Sequence, residues 1–128
     1  MAKKRILLIE DNEDILDIVR FVLEEENYFV IAASPRPASE LAVHKADLIV
    51  LDEWINKTEG HMLCREIKAI QDLKHIPVII FSTATDIEEI METCEADGYV
   101  RKPFDIDDLL TEINRCLAGR SQTSITVI

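Results

Sequence analysis

Apolar residues along this chain keep two rhythms. Unbroken runs of four or five occur at residues 6–9 (ILLI), 29–33 (FVIAA), 48–51 (LIVL) and 78–81 (VIIF), too short for helices and rich in branched side chains. A half-buried strand alternates apolar with polar residues, so runs without alternation are read as strands covered on both faces, as in a parallel sheet. Between the runs the spacing becomes that of an amphipathic helix. It comprises Ile15, Ile18, Val19 and Val22 in the first segment and Leu63, Ile67 and Ile70 in the third. The same spacing returns at Ile87, Ile90, Met91 and Cys94, and again at Ile106, Leu109, Leu110, Ile113 and Leu117. The second helical segment, near residues 38–45, has only the weak stripe Ala38, Leu41 and Ala42, and the fifth strand, 98–101, is placed mainly by its position in the order. Asn12, Asp86 with Glu89, and Asp105 with Asp108 provide acceptors for the free N–H groups of helix starts. Five strands alternating with five helices predict an α/β fold, a single (βα)5 domain whose doubly wound parallel five-stranded sheet carries helices on both faces. The domain is expected to span 1–118. From Ala118 the text "AGRSQTSITVI" leaves the helical pattern, so 119–128 is read as a C-terminal tail or linker remnant.

Composition narrows the chemistry. A chain of 128 residues, 48% of them hydrophobic, can build one core without disulfides or metal staples. Fourteen Lys and Arg against 25 Asp and Glu give a net charge of −11. That balance disfavours direct contact with nucleic-acid phosphates or anionic membranes and favours a cation or a basic protein partner. Cys64, Cys94 and Cys116 are odd in number and lie within helical patterns, so they are expected to be buried thiols. His44, His61 and His75 have no metal-ligand spacing and are expected at the surface. The start "MAKKRILLIEDNED" has too short an apolar stretch for a signal peptide or a membrane span, and the expected location is cytoplasmic. No Gly-rich phosphate loop follows the first strand, where "EDNED" would repel a nucleotide.

In an open parallel sheet, ligands bind beyond the carboxyl ends of the strands, where the winding reverses. There the sequence sets Glu10 and Asp11 after the first strand and Asp52 after the third. Ser82 and Thr83 follow the fourth strand, and Lys102 follows the fifth. Two carboxylates about 5 Å apart repel by roughly 3 kcal/mol at an effective dielectric near 20, so three of them need positive charge. Lys102 supplies one such charge, and a divalent cation fills the remaining deficit; an all-oxygen donor set points to Mg²⁺. A carboxylate beside a metal, a hydroxyl and an ammonium has the parts needed to accept a phosphoryl group in line.

The stretches "LLIEDNE", "DLIVLDEWINKTEG", "IPVIIFST" and "GYVRKPF", in that order, resemble the receiver domain of two-component response regulators. The resemblance covers residues 4–117 and implies a flavodoxin-like fold. It also implies a phosphorylation-dependent signalling switch rather than a dedicated enzyme. By position, Asp52 matches the phosphoacceptor, Asp11 a direct Mg²⁺ ligand, Glu10 the second acid of the pair, and the backbone carbonyl of Trp54 the third protein ligand. Lys102 matches the lysine that contacts the phosphoryl group, with a cis bond to Pro103. Ser82 matches the switch hydroxyl, with Thr83 as the competing assignment, and Tyr99 matches the switch aromatic. The implied partners are a histidine kinase or phosphotransfer protein and a downstream protein that reads the face of the fourth helix, fifth strand and fifth helix. A monomer or a phosphorylation-dependent dimer is implied.

Asn56 stands where the family usually has proline, Thr83 where it has a small residue, and "CEADGYV" is shorter than usual. Trp54 and Thr83 are expected to narrow the path of attacking water and slow loss of the phosphoryl group. Two other readings compete. A partner-binding module of the same fold would ignore phosphorylation, and the intact set Glu10, Asp11, Asp52, Ser82 and Lys102 argues against it. A small phosphatase with Asp52 as nucleophile would want a second acid nearby, where Trp54 stands and where strand alternation turns Glu53 away.

Overall fold

A computed structural model describes residues 3–10, 12–33, 38–52, 54–55, 58–82, 95–101 and 106–126. The apolar runs form the centre of the protein. Strands β1 (Arg5–Ile9), β2 (Phe29–Ala33), β3 (Leu48–Asp52), β6 (Val78–Ser82) and β7 (Gly98–Arg101) make one parallel sheet in the order β2-β1-β3-β6-β7. A separate antiparallel ribbon pairs β4 (Trp54–Ile55) with β5 (Thr58–Glu59). Helices α1 (Glu13–Glu25), α2 (Gly60–Ala69) and α3 (Ile106–Thr126) and a 3₁₀ helix (Ala38–His44) complete the described elements. The expected fourth helix, with Asp86 and Cys94, lies outside the described residues, as does Asp105.

Each inner strand is buried along both faces, as the absence of alternation predicts. Ile6 and Leu8 of β1, Leu48 and Val50 of β3, and Ile79 and Phe81 of β6 pack with Val19 and Leu23 of α1 and with Leu109, Ile113 and Cys116 of α3. Leu7, Ile9, Ile49, Leu51, Val78 and Ile80 face the other way, against Leu41 of the 3₁₀ helix and Cys64 and Ile67 of α2. Successive strand residues thus feed two cores on opposite sides of one sheet, which is what doubly wound means physically. The edge strand β2 has one neighbour, and its Phe29 is 49% exposed with the Arg5 guanidinium 5.0 Å from its ring centre.

Local signals explain the helix ends. The Asn12 side chain accepts hydrogen bonds from the N–H groups of Asp14 and Ile15 and so caps α1. At the other end Tyr28 N–H donates to Leu23 C=O and Asn27 N–H to Glu24 C=O, with Asn27 at φ 70°. That is a Schellman stop in which asparagine takes the left-handed position.

Four expectations change. Ile18 is 56% exposed, because α1 meets the sheet along the narrow stripe of Val19 and Leu23, and Ile18 lies about 100° round the helix from Val19. The segment near 38–45 is a 3₁₀ helix, in keeping with its i,i+3 pair of buried residues, Ala38 and Leu41, and it ends where Lys45 adopts φ 51°. His44 is half-buried rather than superficial, with its carbonyl accepting from Arg5 Nε, whereas His75 is exposed as expected. Finally, α3 continues to Thr126, nine residues past Leu117, since backbone hydrogen bonds propagate a helix without an apolar stripe. Cys64 and Cys116 are buried thiols, as expected, and Cys94 lies outside the described residues.

A second knot ties the opposite, amino-terminal end of the sheet. The Asp97 carboxylate accepts from Lys68 Nζ and from Val78 N–H, both at 2.8 Å, and the Asp97 carbonyl accepts from Arg115 Nη2 at 2.7 Å. Arg115 also bonds Glu112, and this pair lies directly over Gly98. A Cβ there would meet Glu112 Oε2 at 2.5 Å and Arg115 Nη2 at 3.0 Å, so the ends of these two flexible side chains would have to shift to admit one.

Candidate functional site

Strand order sets the site. The neighbours of β1 are β2 on one side and β3 on the other, so the winding reverses between β1 and β3, and a crevice opens at their carboxyl ends. Register fills it. Ile9 pairs with Leu51, so Glu10 and Asp52 follow at the same level on adjacent strands. Asp52 pairs with Phe81, which puts Ser82 one residue beyond it on the next strand, and Ser82 pairs with Arg101, the residue before Lys102. Adjacent strands lie about 4.8 Å apart, so the backbones of Glu10, Asp52, Ser82 and Arg101 form one row along the edge.

Among the described residues Glu10 is the one buried charged side chain, 4% exposed. Its Oε1 accepts the backbone N–H of Asn12 at 3.1 Å. Asn12 therefore holds Glu10 with its main chain while capping α1 with its side chain, which joins the start of that helix to the sheet edge. Asp11, Glu53, Thr83, Lys102 and Pro103 lie outside the described residues, and so do the side chains of Asp52, Trp54 and Ser82. The described residues contain no group of three His, Cys, Asp or Glu side chains able to hold a metal. The buried Glu10 carboxylate and the backbone of Asp52 reach this edge on adjacent strands. Of these only the Glu10 carboxylate is a described side-chain donor, a hard oxygen of the kind a small divalent cation such as Mg²⁺ accepts.

Tyr99, in register with Ile80, is half-buried and packs against the core on the α2 side of the sheet. Sequence reasoning missed the β4–β5 ribbon, which begins two residues after Asp52. Its signal was present but faint: Trp54-Ile55 and Thr58 are strand-formers flanking the two-residue stretch Asn56-Lys57.

The fold and its edge define a class of protein, the open doubly wound α/β domain with an acidic carboxyl-edge crevice. The chain belongs to the response regulator receiver domain family, whose model matches residues 6–114. Members of this family are phosphorylation-dependent switches of two-component signalling, signalling devices rather than true enzymes. The chain is 33% identical over 125 residues to the response regulator ArlR of Staphylococcus saprophyticus, an alignment covering 94% of this chain and 56% of that protein. It is 32% identical over 117 residues to RpaA of Synechocystis, a DNA-binding transcriptional regulator, covering 88% of this chain and 48% of RpaA. It thus spans about half the length of these curated relatives. A receiver domain from Clostridium thermocellum superposes with a TM-score of 0.77 at 30% identity, covering 94% and 98% of the two chains. The receiver domain of a Pseudomonas aeruginosa sensor histidine kinase, solved with a magnesium ion coordinated in its active-site cleft, gives 0.76 at 23% identity, covering 91% and 99%. No helix among the described residues is long and apolar enough to cross a membrane.

Proposed function

We propose that this chain is the phosphorylation switch of a two-component pathway, with Asp52 as the acceptor of a phosphoryl group from a phosphohistidine on a kinase or phosphotransfer protein. The observation that carries this reading is the register that sets Glu10, Asp52, Ser82 and Arg101 in one row at the switch point of the sheet. In the reaction a carboxylate oxygen of Asp52 attacks phosphorus, the P–N bond to imidazole breaks, and the electron pair leaves with the histidine ring. Glu10, Asp11, Asp52 and the Trp54 carbonyl are the residues to hold Mg²⁺. Bound there, the ion supplies positive charge against the phosphoryl oxygens. Glu10 starts from a buried position fixed by Asn12, so little side-chain entropy remains to be lost when it orients toward a cation.

Lys102 neutralises a second phosphoryl oxygen, and the Ser82 hydroxyl donates a hydrogen bond to a third. Drawing Ser82 toward the phosphoryl group opens space on the α2 side of the sheet, into which the half-buried Tyr99 ring turns. A downstream protein would read the surface formed by β7 and α3 together with the chain segment that joins β6 to β7. Residues 1–118 are the switching unit, and 119–128 lead away from it. The test is incubation with Mg²⁺ and a small acyl phosphate, followed by intact mass. One phosphoryl group should be added to the wild type and none to Asp52→Asn. Labelling that survives in the variant refutes the assignment.

A further inference from the structure

We infer that the β4–β5 ribbon is the positioning element for the Trp54 carbonyl, holding it away from any ladder partner so that it is free to face a cation. This rests on the proposal that the acidic edge beside Asp52 binds Mg²⁺. Only two residues separate Ile55 from Thr58, which pair across the ribbon. In a hairpin this tight the flanking residues exchange their hydrogen bonds, so the Ile55 carbonyl accepts from Thr58 N–H. Antiparallel pairs alternate between bonded and non-bonded, and the next pair, Trp54 with Glu59, is therefore non-bonded. The N–H and C=O of Trp54 then point out of the ribbon.

On that outer side β4 has no further strand, since the ribbon is a two-stranded sheet of its own among the described residues. A carbonyl without a ladder partner costs free energy unless water or an ion takes it. Here it stands two residues beyond Asp52, whose backbone the main sheet fixes against Phe81. Pairing on one side of the segment thus makes a single oxygen available on the other. Thr58 acts through its backbone N–H, as a positioning residue and not as a ligand.

The experiment is a Mg²⁺ titration followed by the fluorescence of Trp54, the one tryptophan in the chain, in wild type, Asp52→Asn, Thr58→Ala, Thr58→Pro and Lys57→Gly. Thr58→Pro removes the N–H that Ile55 needs and should weaken Mg²⁺ binding about tenfold, the usual effect of losing a group that orients a metal ligand. Thr58→Ala keeps the N–H and should bind within twofold of wild type. Lys57→Gly places the favoured Asn-Gly sequence between the paired residues Ile55 and Thr58 and should tighten binding at least twofold. It decides the matter if circular dichroism shows Thr58→Pro to be unfolded. Wild-type affinity in folded Thr58→Pro, or in Lys57→Gly when the proline variant does not fold, overturns the inference while leaving the metal site intact. A wild type without a response, or an Asp52→Asn that binds equally well, overturns the site reading and this inference with it.

Discussion

Replacing Asp97 with alanine tests whether the amino-terminal end of the sheet is held by charge. In the wild type its Oδ2 accepts from Lys68 Nζ and Val78 N–H, both at 2.8 Å. Lys68 keeps two other acceptors, the carbonyls of Ile76 at 2.8 Å and Lys74 at 3.4 Å, so its ammonium is not stranded by the substitution. Val78 is wholly buried, and its N–H would lose its acceptor, at a cost of about 1–3 kcal/mol. The Lys68 side chain is 11% exposed but that of Asp97 is 42%, so the ion pair is screened on one side and adds only about 1 kcal/mol. The expected total is about 2–4 kcal/mol.

Asp97→Asn keeps an oxygen for Val78 and should lose only about 1 kcal/mol, which separates hydrogen bond from charge. Urea denaturation measures both. With a slope of about 1.5–2 kcal/mol/M, the midpoint of Asp97→Ala should fall by roughly 1–2.7 M and that of Asp97→Asn by about half a molar unit. Acyl-phosphate labelling of the folded variants should be unchanged, because Asp97 precedes β7 at the end of the sheet opposite Asp52. A loss below about 0.5 kcal/mol in Asp97→Ala, or equal losses in the two variants, would refute the reasoning.

Two further outcomes follow from the same structure. Gly98→Ala should cost no more than about 1 kcal/mol, the worth of the exposed Glu112–Arg115 pair that its Cβ displaces, and the loss should vanish in a Glu112→Ala background, read as a double-mutant cycle in urea. Burial, reinforced by Glu26, pushes the Tyr28 hydroxyl above its ordinary value of 10.0, and burial likewise raises the Cys116 thiol above 9.0. Both groups keep their protons longer folded than unfolded, so their stabilising contribution is full below pH 9 and is lost as pH rises through the folded values. Urea midpoints should therefore fall between pH 9 and 11, with a smaller fall in Tyr28→Phe; an identical fall in that variant would exclude Tyr28 as a contributor.

Much of the fold was legible because burial on both faces writes itself as unbroken apolar runs. The runs at 6–9, 48–51 and 78–81 are the inner strands, and Asn12 is the cap that the sequence suggested. Less was legible where two spacings overlap: Ala38, Leu41 and Ala42 suit an α- or a 3₁₀ helix equally. The wide stripe through Ile18 did not reveal that α1 meets the sheet along a narrow line. The ribbon after Asp52 was hidden because four strand residues are too few to show a period.

By itself the sequence determined the alternation of strands and helices, the identity of the acids that end them, and the charge imbalance a cation would correct. These depend on neighbours within a few positions, where periodicity and chain chemistry act directly. Only the tertiary structure decided which strand ends become neighbours. The order β2-β1-β3-β6-β7 brings Glu10 level with Asp52 across 42 positions of sequence, and there Glu10 is buried with its carboxylate accepting the Asn12 N–H. It also joined Lys68, Asp97 and Arg115 at the other end of the sheet. Such contacts follow from hydrogen-bond register between distant segments, a property no local pattern carries.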